Sequence, residues 1–108
     1  MTITHTIPLP RAARTSAETT VHLAGEIDIF TSKALRQSLM AALLTSTSTL
    51  VIDLSEVSFC DTVGLGILVG IQHRARAQGV TLVLAGPRPY MTSLLHVSGL
   101  DRSLPVAL

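Results

Sequence analysis

The sequence predicts an α/β domain with a mixed sheet of four to five strands, in the order β-β-α-β-α-β-α-β. Three observations carry that expectation. Leu35, Leu39 and Leu43 recur every four residues, which marks an amphipathic helix. Two short apolar runs, "LVIDL" and "VTLVLAG", flank a second helical pattern, as parallel strands joined by a crossover do. An alternating stretch, "TTVHLAGEIDI", precedes the first helix and reads as a strand. A length of 108 residues fits one domain over 1–108.

The elements follow in order. "THTIPLP" reads as a short edge strand whose pairing Pro8 and Pro10 limit. "RAARTSAE" reads as a loop, and Val21 and Leu23 mark one side of the second strand of a hairpin. Thr31 and Ser32 offer N-cap side chains for "SKALRQSLMAALL", and the run "TSTST" breaks that helix. "LVIDL", residues 50–54, has the continuous apolar character of a strand covered on both faces, and "SEVSFCD" reads as a connector after it. "TVGLGILVGIQHRARAQG" places Leu65, Leu68, Ile71 or Gln72, and Ala75 at helical spacing. Basic residues near its end and Gly79 after it are stop signals. "VTLVLAG" is a further buried strand, and Pro87 and Pro89 break the chain after it. Pro89 suits the first turn of a third helix, "PYMTSLLHV", ended by Gly99. "SLPVAL" reads as a last short strand.

Composition excludes several classes. Hydrophobic residues make up 47% and charged residues 14%, so the chain folds and has few charges to cover its surface. A net charge of +1, with the arginines scattered, argues against nucleic-acid binding by phosphate neutralisation. The single cysteine, Cys60, makes no internal disulfide and lacks the companions of a zinc site. It reads as a small buried hydrophobe, and a reducing cytoplasmic setting is expected. His5, His22, His73 and His96 lack metal-ligand spacing, so no metal or other cofactor is expected. No apolar run is long enough for a signal peptide or a membrane span, and no membrane association is expected.

The stretch "FCDTVGLGILVG" sets a glycine loop against a helix start. A dinucleotide fingerprint needs G-x-G-x-x-G directly after a strand, with an acid about 20 residues on. Here Val69 stands where the third glycine belongs, and Gly70 follows one residue late. The preceding strand is expected to end near Leu54, and no Asp or Glu occurs between Asp61 and Asp101. Gly-Lys-Ser/Thr is absent as well, which removes a P-loop. A helix start remains, with Asp61 or Thr62 as N-cap. Thr62 then holds a hydroxyl at a helix N-terminus, where free N–H groups and the macrodipole favour an added phosphate. Gly64 and Gly66, without side chains, are expected to let another protein approach this turn. No nucleophile, base and oxyanion donors assemble in the sequence, so the chain is not expected to be an enzyme.

These residues carry a resemblance. "VIDLSEVSFCDTVGLGILVG" resembles the signature of the anti-sigma-factor antagonists, bacterial proteins built on the STAS domain. "LAGEIDIFTSKALRQSL" and "VSGLDRSLPV" resemble other segments of that family, so the likeness covers about Val21 to Val106. It implies a single STAS-like domain that binds an anti-sigma factor of the serine/threonine kinase type and thereby regulates transcription. It also implies release by phosphorylation of the hydroxyl residue after the motif Asp, which is Thr62 here. The implied partner-binding set is Asp28, Asp61, Thr62, Val63, Gly64, Leu65 and Gly66. Family members often have Ser at the acceptor position, and Val63 leaves no neighbouring hydroxyl as a substitute. Members commonly carry one more C-terminal helix. With the chain stopping at Leu108, one side of the sheet is expected to be less covered, and a homodimer stays open beside partner binding. An alternative is a non-phosphorylated STAS subunit of another assembly, such as a lipid-transport complex, with Thr62 a contact residue only. Asp28 also has a plain reading as a turn residue after a strand, and Asp53 as a strand-end carboxylate.

Overall fold

The computed structural model describes residues 2–6, 18–46, 48–104 and 106–107. Pro8, Pro10 and residues 11–17 of the "RAARTSAE" stretch lie outside them, while its last residue, Glu18, is strand rather than loop. Strands β1 (Thr2–Thr6), β2 (Glu18–Ile27), β3 (Thr49–Cys60), β4 (Thr81–Ala85) and β5 (Val106–Ala107) alternate with three helices. These are α1 (Ser32–Thr45), α2 (Thr62–Ala77) and α3 (Pro89–Val97), with a 3-10 turn over Leu100–Arg102. The element order is the expected one. The sheet runs β1-β2-β3-β4-β5, with β1 antiparallel to β2 and the other neighbours parallel.

The helices form where the apolar spacing places them. Leu35, Leu39 and Leu43 turn one face of α1 inward, and Leu65, Leu68, Ile71 and Ala75 do so for α2. Gly79 and Gly99 take φ of +75° and +79°, which side chains resist, and each follows a helix end. Met91 and Leu95 anchor α3. These residues join Val21, Leu23, Leu50, Ile52, Leu54, Leu82 and Leu84 in one core cluster.

Two expectations about the third strand are corrected. "LVIDL" is not covered on both faces. Leu50, Ile52 and Leu54 are buried, whereas Val51 and Asp53 keep partial exposure, as does Val83 beside them. The buried apolar residues of the helices share one core cluster with Leu50, Ile52 and Leu54, whereas Val51, Asp53 and Val83 stay partly open. The strand also does not stop at Leu54, because "SEVSFC" is strand rather than connector. Register with β2 continues to Ile27↔Cys60, with shifts between His22 and Ala24 and between Gly25 and Glu26. At each shift β3 advances one residue more than β2, which is how a β-bulge is accommodated. The bulges space the buried side chains three apart, at Leu54, Val57 and Cys60, and so hide the period of two. Asp53 therefore sits within the strand, not at its end.

Candidate functional site

Strands β2, β3 and β4 are parallel, so their carboxyl ends share one end of the molecule. The β2–α1 turn, the β3–α2 junction and the start of α3 converge there. The Asp61 amide donates to the Ile27 carbonyl at 3.1 Å, tying the α2 start to the end of β2. Asp28 and Asp61 thus follow directly on a paired couple, Ile27 and Cys60. Of the two candidate caps, Asp61 is the one used. Its backbone is extended, and its Oδ1 accepts from the Gly64 amide at 3.1 Å.

Thr62 is the first residue of α2 and is exposed. Among the free amides of a first turn, those of Asp61 and Gly64 have acceptors. The amides of Thr62 and Val63 have none among the described residues. Val63 is 39% exposed and Gly66 is exposed, so both are available to a docking protein.

Gly64 and Leu65 are not. Both are buried, and they serve the contact between helix and sheet instead of a surface. A Cβ on Gly64 would stand 2.6 Å from Ile27 Cγ2 and 2.7 Å from Cys60 Sγ. The missing side chain is therefore needed for close helix–strand packing, not for approach by a partner. Strand β3 ends directly before Asp61, which removes the strand-distance argument against a dinucleotide fingerprint. The late third glycine and the missing ribose acid still stand against one.

Asp28 builds the β2–α1 turn. Its Oδ1 accepts from the amides of Phe30 at 2.9 Å and Thr31 at 3.1 Å, and its own amide donates to Thr31 Oγ1 at 2.9 Å. Thr31 Oγ1 is thereby held toward the turn and does not cap α1, contrary to expectation. The turn raises Ile29 and Phe30 into solvent, 64% and 90% exposed. Phe59 and Tyr90 add to the same end. Their rings stack with centroids 6.0 Å apart, and the Tyr90 hydroxyl donates to the Cys60 carbonyl at 3.2 Å. The sequence reading missed Ile29, Phe30, Phe59 and Tyr90. The signal was available: the chain has only three aromatic residues, with Phe30 in the β2–α1 turn, Phe59 near the end of β3 and Tyr90 at the start of α3.

Burial pushes the Cys60 thiol up to about 11, with the Asp61 charge adding to it, so the thiol is neutral and unreactive. At mid-sheet, His22 Nδ1 lies 2.8 Å from Asp53 Oδ2. Partial burial raises the Asp53 carboxyl, but hydrogen bonds from Ser55 and His22, with the His22 charge, outweigh it and hold Asp53 below its ordinary value. Among the described residues, no three His, Cys, Asp or Glu gather as metal ligands, and no helix is long and apolar enough to cross a membrane.

An exposed hydroxyl on a helix start thus lies at the same end of the molecule as the solvent-facing Ile29, Phe30, Phe59 and Tyr90. Residues 11–107 match the family profile described as "Mlab, STAS domain", and the chain belongs to the STAS domain family. It is 35% identical over 87 residues to the anti-sigma-B factor antagonist of Bacillus subtilis, covering 81% of this chain and 79% of that one. The corresponding protein of Listeria monocytogenes is 35% identical over 81 residues, 75% of this chain and 71% of that one. The crystal structure of an anti-sigma factor antagonist from Mycobacterium paratuberculosis superposes with a TM-score of 0.73 at 30% identity, covering 98% of this chain and 86% of the other. Unphosphorylated SpoIIAA has the same fold, with a TM-score of 0.67 at 19% identity, covering 97% and 87%.

Proposed function

We propose that this protein is a cytoplasmic anti-sigma-factor antagonist that docks a kinase-type anti-sigma factor through the Thr62 end and is released when Thr62 is phosphorylated. The observation that carries the reading is the exposed hydroxyl at the start of α2, beside two amides without acceptors among the described residues. The names borne by the Bacillus and Listeria relatives support the partner class. In the transfer step, Thr62 Oγ1 bonds to the γ-phosphorus of ATP. The bond to the β-phosphate oxygen breaks, ADP leaves, and the hydroxyl proton is lost. The kinase partner supplies the nucleotide and the base.

The new group brings about 1.5 to 2 negative charges. The helix N-terminus and the amides of Thr62 and Val63 accommodate it, so the fold is kept. For the partner the same charge is costly. It stands among Ile29, Phe30, Val63 and the Phe59–Tyr90 pair, whose burial drives docking, and next to Asp28 and Asp61.

The test measures binding of Thr62→Ala and Thr62→Glu to a kinase-type anti-sigma factor, and weighs wild type after incubation with that kinase and ATP. Thr62→Ala is expected to bind without release by ATP, and Thr62→Glu to bind at least about tenfold more weakly, a loss of roughly 1.4 kcal/mol. Equal affinity of the two variants, with no mass increase of one phosphate, refutes the switch. That result would favour a STAS subunit of another assembly, in which Thr62 is a contact only.

A further inference from the structure

The seven carboxylates of the chain lie outside α1 and α2, at Glu18, Glu26, Asp28, Asp53, Glu56, Asp61 and Asp101. The two helices carry Lys33, Arg36, Arg74 and Arg76 and no acid. They lie side by side, and a groove follows their seam. Its first part, about 520 Å³, is lined by Ser32, Lys33, Arg36, Val63, Gly66 and Ile67. Its second, about 310 Å³, continues along Arg36, Met40, Ile67, Gly70, Ile71 and Arg74. Arg36 and Ile67 line both, so the two parts adjoin along the seam. The floor is aliphatic and the rim is cationic. None of the ion pairs among the described residues engages Lys33, Arg36 or Arg74.

Gly66 and Gly70 point to use of this channel. A mid-helix glycine costs about 0.5–1 kcal/mol relative to alanine. Packing does not demand either one, since a Cβ at each position would meet nothing within 4 Å. What they do is keep one wall low, so that another backbone can come close.

We propose that the α1–α2 groove is a docking site for an acidic amphipathic helix of a partner protein. Three features select that occupant. From Val63 to Arg74 the channel runs about 16 Å at 1.5 Å per residue, a length that suits roughly three turns of helix rather than a single small anion. An apolar floor between cationic rims matches an apolar stripe flanked by carboxylates. A second copy presenting the same face would oppose cation to cation, which disfavours symmetric self-pairing there. Nucleic acid is disfavoured, because strong phosphate binding takes about 6–10 contacts and the groove offers three cations. The inference rests on the lining of the groove and not on the anti-sigma-factor reading, although Val63 and Gly66 belong to both faces.

The experiment uses the isotopically labelled full chain and two synthetic peptides of about 18 residues with the same leucine stripe. One peptide carries Glu at every charged position and the other carries Lys. The Glu peptide is expected to shift the amide signals of Arg36, Gly66, Gly70 and Arg74, and the Lys peptide is not. The double variant Arg36→Glu/Arg74→Glu is expected to weaken the Glu peptide by about tenfold or more. Gly70→Leu is expected to weaken it similarly by filling the channel, while its melting temperature does not fall, because leucine is the better helix former. Equal binding of the Lys peptide, shifts confined to another face, undiminished affinity of the double variant, or no shift with the Glu peptide at about millimolar concentration overturns the proposal. So does preferential binding of duplex DNA at the same residues, which would assign the groove to nucleic acid instead.

Discussion

Three glycines in one helix respond to alanine in opposite directions. In Gly64→Ala the new methyl would sit 2.6 Å from Ile27 Cγ2 and 2.7 Å from Cys60 Sγ. Carbon–carbon contacts are comfortable at about 3.5–4.0 Å, so the overlap approaches about 1 Å. Neither neighbour yields easily. Ile27 and Cys60 are each 1% exposed, they face each other across paired strands, and isoleucine is stiff at χ1. The start of α2 has to move outward, and overpacking of this kind costs about 1–3 kcal/mol. Alanine returns up to about 1 kcal/mol of helix propensity, and less in a first turn. The net is a destabilisation of about 1–2 kcal/mol. Gly66→Ala and Gly70→Ala meet nothing and keep the propensity gain, about 0.5–1 kcal/mol each. For a domain of this size each kcal/mol moves the melting midpoint by about 4–8 °C. Thermal and urea unfolding followed by circular dichroism should rank Gly64→Ala below wild type, and Gly66→Ala and Gly70→Ala above it. A Gly64→Ala protein that melts at or above wild type would show that the close contact does not govern how α2 seats.

Asp61→Ala removes the cap on the Gly64 amide and should lower stability by about 1 kcal/mol, with Asp61→Asn retaining most of it; urea midpoints measure both. The Cys60 thiol should react with a thiol reagent in native protein far more slowly than in urea-unfolded protein at pH 8. Because its folded value is raised, the stability tied to that thiol is complete below about pH 8.5 and lost as pH climbs through about 11, and Cys60→Ala should lack this alkaline loss. Asp53 has the opposite sign. Its folded value is lowered, so its stabilisation is present above about pH 4 and disappears as pH falls further. Unfolding curves of wild type and Asp53→Asn should therefore converge in acid and stay apart at neutral pH.

Much of this was readable along the chain. Leu35, Leu39 and Leu43, the Asp61 cap and the stops at Gly79 and Gly99 are local signals, and helix boundaries depend on little else. The element order and the position of Thr62 at a helix start came from the same short-range cues. What the chain alone could not declare was everything set by distant partners. "SEVSFC" is poor in strand signals, and it stays extended because β2 lies beside it; the bulges then erase the alternation that would have revealed it. The role of Gly64 depends on Ile27, 37 positions earlier, occupying the space its Cβ would need. Likewise Phe30, Phe59 and Tyr90 lie at one end only because three strands run parallel, and Arg36 and Arg74 line one groove only because two helices lie side by side. Backbone conformation and capping are decided over a few residues, so the sequence determines them directly. Pairing, packing and the grouping of charges are decided between segments far apart in the chain, and only the folded structure resolves them.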